Sequence, residues 1–114
     1  MSVIYRVTHP VSGFGVFNHE PTRELGRRIS RSNPKKVLPF YDDRDRVRSG
    51  CSSLADIALW FAPFWDEILK AGFILAKFEG EIIAQNGYEV LFDPRGSKCV
   101  EVLRLKNLEV VENA

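Results

Sequence analysis

Glu89 stands at the head of the apolar run Val90-Leu91-Phe92, inside the stretch GYEVLFDPRGSKCVEV (87–102), which is patterned as strand, tight turn and strand. A carboxylate at that place has two readings. It is a surface acid on an ordinary hairpin, or it belongs to the last strand of a nucleotide-binding cleft. Arg6 on the first β-branched segment is placed to pair with Glu89 or Glu101 across a sheet. Ser52 and Ser53 are explained as helix caps.

Other chemistries have less to build on. Cys51, Cys99, His9 and His19 form a conceivable zinc set, but no close-spaced ligand pair supports it, so no metal is expected. His9 precedes Pro10 and reads as a turn residue. Gly13-Phe14-Gly15 lacks the third glycine and the strand-to-helix setting of a dinucleotide fingerprint, and no motif supports a Ser/His/Asp or Cys/His triad.

Charge is the second signal. The whole chain carries +1, yet between Arg23 and Arg48 nine basic residues face four acidic ones, a local excess of five. Arg27, Arg28, Arg31, Lys35, Lys36, Arg44, Arg46 and Arg48 are therefore candidate contacts to phosphates or to an acidic protein surface, and Trp60 is added as an aromatic lying off its helix's main stripe. A solvated helix face or loop is the competing explanation of the same charges.

These residues need elements to hold them. Residues 3–8 are β-branched and aromatic and end at His9-Pro10, which predicts a first strand. A turn-rich stretch follows, then a short helix over about 22–29 and a long basic surface loop over 31–50, anchored by the apolar knot 37–41. Ser53 with Asp56 makes a capping box, and Leu54, Ile57, Ala58, Phe61, Phe64, Trp65, Ile68 and Leu69 recur at helical spacing up to Gly72. Pro63 predicts a kink near Ala62. Beyond Gly72 the period changes to two, through FILAKFEG, EIIAQNG, YEVLFD and KCVEVLRLKNLEVV.

With 114 residues, 45% apolar and 27% charged, the chain is expected to be a single domain, 1–114, able to bury roughly two-thirds of its unfolded surface without staples. No segment approaches the roughly 18 apolar residues of a membrane span, and the first residues lack the pattern of a signal peptide. A cytoplasmic protein with reduced cysteines and no membrane partner is expected. The predicted fold is α+β: an N-terminal strand, a short helix and a basic loop, then one long amphipathic helix packed on a C-terminal antiparallel sheet.

In order along the chain, Tyr5-Arg6, the segment Cys51-Ser52-Ser53 with Ala58 and Phe61-Ala62, and Glu89 followed by Val90-Leu91-Phe92 and Arg95-Gly96-Ser97 resemble the three signature regions of the ADP-ribosyltransferase fold. That resemblance implies NAD as cofactor, with Arg6 on a phosphate, Ser52 or Ser53 supporting the ribose and the acid, and Glu89 on a ribose hydroxyl. It departs from the family at Gly87, where the second acidic or amide residue would stand, and at Cys51-Ser52-Ser53 in place of Ser-Thr-Ser. YRVTHPVSGFGVF, SSLADIALWF and GYEVLFDPRGSKCVEVLRL also resemble a family of small bacteriophage and prophage proteins. This second resemblance implies an effector that binds and disables a host defence or nucleic-acid-handling protein, as anti-CRISPR proteins do. The expected partner is a host protein or ribonucleoprotein complex, with direct nucleic-acid binding the weaker expectation. No cofactor is expected of such a binder, and NAD only of a transferase.

Overall fold

The fold is described from a computed structural model, which covers residues 2–16, 19–32, 47–86 and 89–104. The predicted first strand forms as β1 (Ser2–Thr8), and the short helix forms as α1 (Arg23–Ser32), entered through a 3-10 turn at Glu20–Thr22. Thr22 fixes that entry, its buried hydroxyl donating to the carbonyls of Val16 and His19 at 3.1 and 3.2 Å. The end of the expected basic loop is instead a strand, β2 (Arg48–Cys51), because Gly50 and Cys51 sit inside the sheet. Residues 33–46, with Lys35, Lys36, Arg44 and Arg46, lie outside the described residues.

The long amphipathic segment is α2 (Leu54–Phe61) and α3 (Trp65–Lys70), separated by a 3-10 turn at Ala62–Phe64. Ser53 caps α2, its Oγ accepting from the Asp56 backbone N–H at 3.1 Å, and Pro63 breaks the helix where its missing N–H predicts. Gly72, at φ +90°, ends α3 in a Schellman arrangement: Phe73 N–H donates to Ile68 O, and Gly72 N–H to Leu69 O. The buried stripe of α2 is Ile57, Trp60 and Phe61, at i, i+3 and i+4. Trp60 is 4% exposed and stacked on Phe61, so its expected role as a partner contact is corrected to a core one. Trp60 stands three residues after Ile57, a helical spacing that already puts it on the buried stripe.

Strands β3 (Ile74–Gly80), β4 (Ile82–Asn86), β5 (Glu89–Phe92) and β6 (Lys98–Leu103) complete a six-stranded, wholly antiparallel sheet in the order β4-β5-β2-β1-β3-β6. The architecture is α+β. The sheet is not a C-terminal meander, however: β1 and β2 lie at its centre, and the later strands add on either side of them. One face carries the helices through a core of Val7, Cys51, Ile57, Trp60, Trp65, Ile68 and Leu75; the other gathers Ile4, Val90 and Phe92 with Phe78 and Ile82. Among the described residues no helix is long and apolar enough to cross a membrane.

Gly50 sets how closely β1 and β2 approach. A Cβ there would stand 2.5 Å from the Tyr5 carbonyl oxygen and 2.8 Å from Ile4 Cγ2. Gly50→Ala must therefore push two central strands apart. A loss of roughly 1–3 kcal/mol, read from the urea unfolding midpoint, is expected, and an unchanged midpoint would contradict this packing.

Candidate functional site

Register places the resemblance's residues relative to one another. Tyr5 pairs with Cys51, and Cys51 with Glu89, so these three side chains leave neighbouring strands on one face of the sheet, the face that carries the helices. Glu89 is 3% exposed, with Asn86 of β4 its neighbour in register on the other side. The structure thus brings Glu89 next to the 51–53 segment, as the transferase resemblance requires. Ser53 is occupied as the α2 cap, and Ser52 is exposed. The Cys51 thiol is pushed up by burial and further by Asp56 and Glu89, which makes it a poor nucleophile.

Arg6 is the exception. Its Cβ leaves β1 on the side opposite to Tyr5, but its guanidinium turns into the gap between β1 and β2, beside Val7, Ile57, Trp60 and Phe61 of the helix-side core. Its guanidinium is 5% exposed and donates to Ser49 O at 2.7 Å and to Gly13 O at 3.0 Å. The fork of donors thereby ties β1 to β2 and to the 9–16 loop, whose turn is closed by His9 N–H to Phe14 O and Gly13 N–H to His9 O. Burial, with the charge of Arg48 adding to it, pushes the guanidinium down to about 9. Arg6 lines a cleft of about 10 Å³ with Gly15, Ser49 and Trp60, room for one water and far too little for a dinucleotide. Neither carboxylate expected as a cross-strand partner, Glu89 or Glu101, is among its hydrogen-bond partners.

The histidines serve structure. His9 Nδ1 accepts from the backbone N–H groups of Val11 and Ser12, its ring stacks on His19 at 4.7 Å, and both meet the edge or face of Phe73 near 5.5 Å. This pins the 9–19 connection against the end of α3. Among the described residues no group of three or more His, Cys, Asp or Glu side chains could hold a metal ion.

The basic candidates divide by use. Arg28 pairs with Glu67 of α3 and lies 5.9 Å over the Phe64 ring, which lowers the Glu67 carboxyl and fastens α1 to the helix pair. Arg48 is half-buried and lies over Phe14. Arg27 and Arg31 point outward, and with them Arg23, which the sequence reading counted in the basic segment without naming it a contact. These three line an open groove on α1 whose floor is Gly26 and Ser30. The signal for it was the i, i+4, i+8 spacing of the arginines.

Arg6→Met removes the donors of two interior carbonyls while keeping the side chain's bulk. It should lower the unfolding free energy by roughly 2 kcal/mol, whereas Ser53→Ala should cost about 1 kcal/mol through its cap. An Arg6→Met protein with the wild-type urea midpoint would refute the structural assignment of Arg6. Comparison with family models, with curated proteins and with solved structures finds no match for this chain.

Proposed function

We propose that the protein is a small phage-type effector that binds and inhibits a host defence or nucleic-acid-handling protein in the cytoplasm, anti-CRISPR-like in manner and without catalysis. The observation that carries this reading is the placement of Arg6. The residue that would have to hold the phosphates of NAD gives its donors to Ser49 O and Gly13 O, and it is 5% exposed beside a cleft with room for one water. A transferase needs that cation free to meet the phosphates while the carboxylate meets the ribose, because both belong to one bound molecule. The exposed cationic face of α1, by contrast, is free of the core and available to a partner. Its arginines are 60%, 61% and 64% exposed at positions 23, 27 and 31.

NAD-dependent ADP-ribosyl transfer to a host protein is the second reading. The proximity of Glu89 to Cys51-Ser52-Ser53 favours it. The two separate in one experiment: plaque formation on hosts carrying CRISPR or other defences, with each variant first checked for equal abundance and an unchanged circular dichroism spectrum. Arg27→Glu/Arg31→Glu should restore host protection by at least tenfold in plaque count, and Glu89→Gln should inhibit like wild type. Loss of inhibition in Glu89→Gln, with Arg27→Glu/Arg31→Glu unaffected, would replace the binder by the transferase.

A further inference from the structure

We infer that the α1 face formed by Arg23, Arg27, Ser30 and Arg31 takes the phosphate backbone of a nucleic acid; this rests on the binder reading and takes its partner to be a ribonucleoprotein complex, met through the nucleic acid that the complex holds. The three arginines sit one helical step of four residues apart, about 6 Å of rise each. They therefore offer like charges in a line, which suits a polymer that presents like charges in a line. Guanidinium is the side chain best matched to phosphate oxygens, which it can meet with two parallel donors. Ser30 is exposed between Arg27 and Arg31, and its hydroxyl adds a donor.

The lining also distinguishes nucleic acid from an acidic protein. Protein interfaces centre on buried aromatic or aliphatic anchors, whereas nucleic-acid interfaces are polar and strongly positive. Among the described residues the groove is lined by Arg, Gly and Ser alone, with no apolar side chain. The apolar residues of α1, Leu25 and Ile29, are turned into the core.

Glu24 and Glu20 restrain these cations without cancelling them. Glu24 meets Arg27 and Arg31 at 3.4 Å each, and Glu20 meets Arg23 at 3.7 Å, all at the surface. The carboxyl of Glu24 is held below its usual range by Arg31 first and Arg27 next. Exposed pairs of this kind are weak and salt-screened, so a phosphate can displace the carboxylate. Glu24 is absent from the groove lining and sits on the flank toward Arg28.

The test is fluorescence anisotropy of the full chain with labelled oligo-uridine, oligo-thymidine and a duplex, between about 50 and about 200 mM salt. Binding should be saturable and weaken with salt along a log–log slope of about −2 on single strands, three phosphate contacts at about 0.7 each. Arg27→Glu/Arg31→Glu should bind at least tenfold more weakly. Glu24→Gln, which removes only the competing carboxylate, should bind more tightly and guards against a folding artefact. The uridine, thymidine and duplex arms tell RNA from DNA as the source of the phosphates. Absence of binding at about 50 mM salt, wild-type affinity in the double variant, or equal competition by polyglutamate would each overturn the inference. Polyglutamate competition combined with loss of inhibition in the plaque assay would remove the phosphate assignment and leave the binder reading. Oligonucleotide binding combined with unchanged inhibition by the double variant would do the reverse.

Discussion

The fold turns on one buried cation. Arg6 leaves the central strand β1 and gives its guanidinium to carbonyls of the distant β2 and of the 9–16 loop that follows β1, so three segments share one hydrogen-bonding fork. Thr8 donates to the same Gly13 oxygen at 3.1 Å and strengthens the loop's hold on the strand. A charge in that position is costly unless its donors are used, which is why its neighbours are constrained. A Cβ on Gly15 would lie 3.3 Å from Arg6 Nη2, and one on Gly50 would collide with β1 itself. The loop and β2 are thus kept bare where they face the cation and its strand.

Function follows from where the other arginines are left. The same side chain serves three purposes in this chain: Arg6 joins strands, Arg28 joins α1 to α3 through Glu67, and Arg23, Arg27 and Arg31 face outward in a row. Only the last set offers charge to another molecule without undoing the fold. Glu89, which attracts attention as an acid in an apolar strand, is buried beside Cys51, where burial and neighbouring carboxylates hold the thiol protonated.

Much of this was legible in the residues. β-branched runs, the Ser53/Asp56 cap, Pro63 and Gly72 each act through local backbone chemistry, and each feature appears where that chemistry requires. The central position of β1 and β2 was not legible, because strand order is set by long-range pairing and β2 is a four-residue strand, RSGC, with little β-branched character. The site was half legible for the same reason. Sequence order put Arg6, Ser53 and Glu89 in a plausible succession, but which partners a side chain meets inside the fold depends on long-range pairing, and Arg6 gives its donors to Ser49 O and Gly13 O. Trp60 was legible as core from its i+3 spacing to Ile57, which places it on the buried stripe of α2. Arg23 was overlooked because a charge count treats the segment as a whole and not as a helix with one open face.

Assigned amide spectra of the labelled protein, titrated separately with NAD and with a single-stranded oligonucleotide, separate a structural Arg6 from a phosphate-binding one. With Arg6 held by Ser49 O and Gly13 O, the oligonucleotide should shift amides along 23–31, and NAD should shift none around Arg6, Cys51 and Glu89. Saturable NAD-dependent shifts gathered at Arg6, Ser52 and Glu89, with α1 silent toward the oligonucleotide, would contradict it.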